Sequence, residues 1–436
     1  MTADAATAAT MPKPKPLPAA SRNRILAYVG FLLLLLNFGS PAAGFIDLPI
    51  SFVLKNKLHL QSHEVANFKL MAAIPLYLSF LFGFARDRWN LFGRKDRGLL
   101  MLFGAICAVT YALFGFAPAT YPVLLAAVVL SSVSWSFTHA AQQGVASQIG
   151  QQHVMSGQIS TIWNIFIVVP YLLTYLVGGA LSQRLEGGGA DNAARVLFLA
   201  GAAVMAGVGL LGVWRPRVVF DNLASEAAPG RAWDDVKRIA GHWPVYPALA
   251  IWFLFSFAPG SNTPLQYYLQ NTLHATDSQW GQWNAIFAGA FIPTYLLFGA
   301  LCRRYPLKTL IWWGTVFAVP QMVPLFFIHS VNQALLAAAV IGLLGGVANA
   351  AYIDLLIRSA PPGLQGTTLM MSVSLYWIAI RFGDVLGTHL YEQFGGFGIC
   401  VIAITVAYAL ILPVLLLVPK RLLATADGEV APTAVS

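Results

Sequence analysis

Residues 48–68 read LPISFVLKNKLHLQSHEVANF, and residues 263–283 read TPLQYYLQNTLHATDSQWGQW. At a constant offset of 215, Pro49 meets Pro264, Leu54 meets Leu269, Asn56 meets Asn271, Leu58 meets Leu273 and His59 meets His274. With one insertion the match extends to Gly83 and Arg88 against Gly299 and Arg304, and HAA at 139–141 echoes NAA at 349–351. In both copies the stretch follows a long apolar run. The chain therefore reads as two copies of one membrane-spanning unit.

The surroundings support that reading. The 436 residues are 58% hydrophobic and only 10% charged. A bilayer core about 30 Å thick needs about 20 apolar residues per helical span. That ruler gives twelve spans, near 24–54, 65–85, 98–116, 119–147, 158–182, 194–214, 243–271, 279–301, 308–328, 331–357, 364–391 and 395–418. A membrane β-barrel would show short alternating segments, whereas ILAYVGFLLLLLNFG (25–39) is continuous. The expected fold is an all-α integral membrane protein, its twelve transmembrane helices arranged as two pseudo-symmetric six-helix bundles. The expected divisions are a disordered cytoplasmic tail (1–22), an N-terminal bundle (23–214), a cytoplasmic linker (215–242), a C-terminal bundle (243–418) and a cytoplasmic tail (419–436) whose residues from 424 on are disordered. RNRILAYVGFLLLLLNFGSPAAG (22–44) also has the form of a signal peptide cleaved after Ala43, but cleavage there would leave half a span.

The net charge of +9 reads as topology rather than nucleic-acid binding. With the first span running outward from the N-terminal tail, 20 of the 26 Lys and Arg fall on the N-tail side, the bias expected of cytoplasmic loops. Both termini are expected in the cytoplasm, with the chain a multi-pass monomer of the plasma membrane (the inner membrane in a Gram-negative cell). Cys107, Cys302 and Cys400 lie in or at the ends of spans without disulfide or metal-ligand spacing. No phosphate-binding loop, metal cluster or nucleophile elbow is present in the sequence. No cofactor or metal is expected, and an enzyme is not the expected class.

The stretch RDRWNLFGRKDR (86–97) packs seven charges into twelve residues between the second and third spans. Gly83, three residues, Asp87-Arg88, and then Gly93-Arg94-Lys95 resemble the loop signature of the major facilitator superfamily. The resemblance implies a secondary transporter of two parallel six-helix halves. Asp87, Arg88, Arg94 and Lys95 are then candidates for a charge network that locks the cytoplasmic face. The second copy, Gly299 to Arg303-Arg304, lacks the acid. Four residues separate Arg88 from Gly93, a spacing that resembles the folate–biopterin transporter family, as do GFIDLPISFVLKNKLHL (44–60), FAPGSNTPLQYYLQNTL (257–273) and APPGLQGTTLMMSVS (360–374). Departures are Leu76 after Pro75, Ser79-Phe80 where that family carries Lys-Pro, and Gln142-Gln143 where it often carries Asp. The loop also resembles those of muropeptide permeases and acetyl-CoA transporters. A non-transporting assembly factor on the same fold is a further alternative.

Polar residues inside spans are costly and mark candidate sites. In the first span Asn37, Ser40, Gly44, Asp47 and Ser51 share a helical face, and Asp47 leads for substrate or proton coupling. Trp135, His139 and Gln142 share a face in the fourth span, and Asn164 continues the lining in the fifth. The seventh, interrupted by FAPGSNTP, offers Asn262 and Tyr267. The eleventh offers Trp377, Arg381 and Asp384, with Arg381 either paired to Asp384 or presenting a planar donor fork to a substrate carboxylate. Asp354 and Arg358, four apart near the cytoplasmic end of the tenth, read as a gate pair. The expected ligand is a small polar, ring-bearing organic solute with a carboxylate, with a proton as coupling ion and the bilayer as environment.

Overall fold

The computed structural model describes residues 17–41, 46–47, 50, 53–60, 62–186, 190–221, 223, 231–394 and 396–429. Among these, helix is the only regular secondary structure. Ten helices are long and apolar enough to cross a membrane: α1 (Ala19–Phe38), α3 (Asp96–Gly115), α4 (Tyr121–Gln152), α5 (Ser156–Glu186), α6 (Ala190–Val213), α8 (Asp277–Leu301), α9 (Leu307–Ala318, continuing to Phe327), α10 (Val331–Ser359), α11 (Gln365–Gln393) and α12 (Phe397–Ala409, continuing to Leu415). The two remaining expected spans are broken. The second, α2, comes in three pieces, Ser62–Ala72, Ile74–Tyr77 and Ser79–Arg88. The seventh, α7, runs Val245–Ser256 and restarts as Thr263–Tyr267.

Three boundaries differ from expectation. Helix α1 begins at Ala19, directly after Pro18, so residues 19–22 of the expected disordered tail are helical, and residues 1–16 lie outside the described residues. The first span does not run unbroken over 24–54, because α1 ends before Gly39, Ser40 and Pro41. Proline lacks the N–H of the next turn and clashes with the turn before it. The carbonyls left over are taken by side chains of other helices: Tyr111 Oη donates to Gly39 O at 3.0 Å and Trp135 Nε1 donates to Leu36 O at 2.8 Å. At the other end, residues 424–429 of the expected disordered tail fold back onto the protein, as described below.

The repeat reappears in the backbone. A π-helical turn spans Val53–Lys57 and another spans Tyr268–Thr272, again 215 residues apart. Leu58 N donates to Val53 O as Leu273 N donates to Tyr268 O, and Leu60 N donates to Leu54 O as Ala275 N donates to Leu269 O. His59 and His274 both take left-handed conformations, with φ of 53° and 57°. Such φ values are uncommon outside glycine, so their recurrence at one offset ties local conformation to the repeated sequence.

The two halves meet along α5 against α8 and along α2 against α11, with α4 also packing on α11. Large apolar side chains such as Leu113, Leu210 and Val385 remain exposed on the outside, where acyl chains solvate them as well as protein would. The polar side chains collect between the halves.

Candidate functional site

A cavity of ≈ 210 Å³ lies between the two halves. From the N-terminal half it is lined by Asn37 and Ser40 of the α1 end, Trp135, His139 and Gln143 of α4, and Trp163, Asn164 and Tyr171 of α5. The C-terminal half contributes Trp252 of α7, Tyr295 of α8, Asn349 of α10, and Ser372, Tyr376 and Trp377 of α11. Aliphatic residues such as Leu76 and Leu369 complete the wall. No Asp, Glu, Lys or Arg occurs among the described lining residues.

Several of these side chains are fixed by neighbours. The indole N–H of Trp135 is used on Leu36 O, and that of Trp252 on Ser372 O at 3.0 Å, so both rings are held by their edges. Trp252 stacks on Tyr376, which meets Trp377 edge-on. His139 lies over Trp135 with centroids 4.5 Å apart, and its Nε2 is 2.8 Å from Gln143 Nε2. With the amide donating, the imidazole accepts at Nε2 and carries its own proton on Nδ1, which is buried without a partner among the described residues. Asn349 Nδ2 donates to Asn164 Oδ1 at 3.0 Å and to Tyr295 Oη at 2.6 Å. Asn164 and Asn349 belong to opposite halves, so this amide pair bridges them at the cavity wall.

Asn37, Ser40, Trp135, His139, Asn164 and Trp377 thus come together, as their helical phase predicts. Gln142 is buried, with both amide atoms unpartnered among the described residues, and it is the adjacent Gln143 that lines the cavity. Asp47, Asn262, Tyr267, Arg381 and Asp384 gather away from the lining. Asp47 pairs with Lys69 at 3.6 Å. Asp384 accepts from Thr263 N and Thr263 Oγ1, both at 2.9 Å, and so caps the restart of α7, where Asn262 is the N-cap residue. Tyr267 is exposed, and Arg381 Nε is buried without a hydrogen-bond partner among the described residues. Gly44 and Ser51 lie outside the described residues. Trp163, Trp252, Tyr295, Asn349 and Tyr376 escaped the sequence reading. Only Asn349 had a signal, its place in the NAA echo.

The charged stretch ties the two halves together at the terminal face, where α1 begins and residues 424–429 after α12 fold back. Asp87 accepts from Gly366 N at 3.0 Å and from Thr367 N and Oγ1, both at 2.6 Å. It thereby caps α11 of the opposite half, whose own N-cap residue, Leu364, has no side-chain oxygen. Arg86 donates to Asp87 at 2.7 Å and to Asp96 Oδ2 at 2.6 Å, all three side chains being almost fully buried. Gly144 of α4 makes room for this guanidinium, because a Cβ there would collide with it. Gly83 likewise lets α2 lie against Gly366. Arg88 reaches Asp235 of the linker helix Ala232–Gly241 at 2.7 Å, and Arg238 of that helix donates to Pro362 O. Gln151 adds a further tie across the halves, donating to Ile357 O and Ala360 O at 2.7 Å each. Asp354 pairs with Arg358 at 2.8 Å, and Arg358 also donates to Ser156 Oγ of α5 at 3.0 Å. Arg94 is exposed and donates to Met101 Sδ at 3.5 Å, while Lys95 N donates to Asn90 Oδ1 to shape the loop. The sequence reading missed Arg86, Asp96 and Asp235, since partners separated by up to 147 residues leave no local spacing signal.

A model of the Major Facilitator Superfamily matches residues 33–387. No curated protein sequence matches the chain. Among solved structures, the human organic anion transporter MFSD10 (TETRAN) is similar, with a TM-score of 0.66 at 14% identity, covering 92% of this chain and 100% of its own. So is the proton:xylose symporter XylE bound to 6-bromo-6-deoxy-D-glucose, with a TM-score of 0.67 at 14% identity, covering 94% of this chain and 98% of its own. At that identity the likeness speaks for the fold. Together with the family match, the repeated six-helix halves and the cavity between them, it makes this chain a member of the Major Facilitator Superfamily, a transporter rather than an enzyme.

Proposed function

We propose that the chain moves a small, uncharged, ring-bearing polar solute through the cavity between its halves by alternating access. The observation that carries this reading is the lining itself: four tryptophans and three tyrosines alternating with amides and hydroxyls, and no charged side chain among the described residues. Aromatic faces cover a flat ring or the apolar face of a sugar, while Asn349, Asn164 and Gln143 offer donors and acceptors to its edge. A carboxylate there would lose its water shell without a cation to replace it, so the ligand expected from the sequence is narrowed to a neutral one. The volume lies below the roughly 300–1,000 Å³ of drug-sized sites. It suits a monosaccharide or a free pterin better than folate with its acidic tail.

The face carrying the termini is the cytoplasmic one in this reading, and its charge network is the inner gate, closed here. Proton coupling runs through His139, the one lining residue whose ordinary pKa falls near neutrality, rather than through Asp47 or Asp384, which are engaged elsewhere. Counterflow in proteoliposomes tests the reading with a panel of neutral sugars, pterins and nucleosides against organic acids. Exchange of a neutral ring solute, abolished in Asn349→Ala, is the expected result. Exchange confined to anions would overturn it.

A further inference from the structure

The superfamily signature is present once and missing once: where α2 carries Asp87 in its last turn, the second copy follows α8 with Arg303-Arg304 and no acid. The structure nevertheless holds a carboxylate at the matching place in the other half. Asp427, from the chain after α12, accepts from Gly157 N at 3.1 Å and from Gln158 N at 2.9 Å, the second and third residues of α5. Asp87 accepts from the second and third residues of α11. An arginine bridges two acids at each place: Arg86 lies between Asp87 and Asp96, and Arg358 lies between Asp427 (3.2 Å) and Asp354. The segment around Asp427 is built in on both sides. Asp427 N donates to Cys302 O at 2.8 Å and Gly428 N donates to Val154 O at 2.7 Å, while Arg358 Nη1 donates to Thr425 O at 2.9 Å. The Asp427 side chain is completely buried.

We infer that Asp427 is the second gating acid of this transporter: the tail segment 424–429 supplies to α5 the carboxylate that the loop after α8 lacks, and it must leave when the terminal face opens. The ties at Val154, Gly157 and Gln158 lie in the N-terminal half, and those at Cys302, Leu307 and Arg358 in the C-terminal half. Separation of the halves cannot keep both sets. Asp427 is a positioning residue that acts through the helix end it caps, not through the solute.

The inference rests on the alternating-access reading, and one experiment separates the two. In a background with Cys107, Cys302 and Cys400 each replaced by Ala, a reporter cysteine is placed in the cavity by Ser372→Cys. Its labelling by a membrane-impermeant maleimide is followed from the terminal face in oriented vesicles, with Asp87→Asn, Asp427→Asn or Asp427→Glu added, and unfolding temperature is measured alongside. An amide turns an NH2 group toward backbone N–H groups that now have two carboxylate oxygens to donate to, and the donor left unpaired predicts labelling about tenfold faster in Asp427→Asn and in Asp87→Asn. Asp427→Glu, which keeps the carboxylate, returns the rate toward that of the parent. If Asp87→Asn speeds labelling and Asp427→Asn does not, the tail acid is only a tether and the inference fails while the transporter reading stands. If neither variant changes labelling while unfolding temperatures drop, both acids are structural and the gate reading fails with it.

Discussion

The cavity and the proposed terminal gate are built from opposite materials. The cavity is small, aromatic and amide-lined, without a charged side chain among its described residues. The proposed gate puts two triads largely out of water, Arg86 with Asp87 and Asp96, and Arg358 with Asp354 and Asp427, each arginine within 3.2 Å of both its acids. Buried ion pairs stabilise little on balance, because desolvation offsets attraction, yet they are severely disrupted by loss of one partner. That asymmetry suits a gate, which must be closed in one state and fully solvated in another. A solute site has the contrary need: it must bind weakly enough to release, and uncharged polar contacts do so.

The largest effect that would break this contrast is expected at Arg86. Arg86→Met leaves Asp87 and Asp96 buried without their shared cation, and a loss of about 3–5 kcal/mol is expected, read as a fall in the detergent unfolding temperature. A change within measurement error would mean that the acids are already neutral. Asp87→Asn comes next. Leaving one of the α11 backbone donors without an acceptor is expected to cost about 1–3 kcal/mol of gate closure, read as faster labelling of cavity cysteines from the terminal face with solute affinity little altered.

Cavity substitutions should show the reverse pattern. Trp377→Ala is expected to weaken solute binding about tenfold, through lost ring contact, while leaving the unfolding temperature nearly unchanged. Isothermal titration or quenching of the remaining tryptophans measures it. A gate phenotype from Trp377→Ala would erase the distinction drawn here.

The smallest expected effect is one of pH. Burial pushes the Asp427 carboxyl up to about 6, with the charge of Asp354 adding to the rise and Arg358 opposing it. Burial also raises Asp87 to about 6, against Arg86 and Thr367. Both return toward the ordinary value near 3.8 when the gate opens into water. A group whose pKa is higher in the closed state takes up protons on closing, so closure is favoured as pH falls from about 6 to about 4 and loses that contribution above the upper value. Cavity labelling from the terminal face should therefore be slower at pH 5 than at pH 7, and Asp427→Asn should flatten the difference.

Cavity and gate also differ in how far the sequence revealed them. Half of the proposed gate was legible because Gly83, Asp87 and Arg88 lie in one short stretch ending α2, where the glycine and the acid, four apart, fall on adjacent turns of one helix. Arg86 and Asp96 lay in the same quoted loop, but nothing in their spacing distinguished them from Arg94 and Lys95. In the cavity, helical phase gathered Asn37, Ser40, Trp135, His139, Asn164 and Trp377. It failed by a single residue at Gln142, because steps of three and of four are both compatible with one face and only packing chooses Gln143.

What the sequence by itself determined is whatever follows from local chemistry and repetition. Long apolar runs require helices across a bilayer, and the offset of 215 returns as paired π-turns and as the matched conformations of His59 and His274. Only the tertiary structure decided which polar groups meet. It sent Asp384 to cap α7, Asp47 to Lys69, Asn349 to Asn164 and Asp427 to the start of α5. The reason is physical: a helix's periodicity fixes which of its residues share a face, but the partner opposite that face comes from elsewhere in the chain, 270 residues away in the case of Asp427 and Gly157.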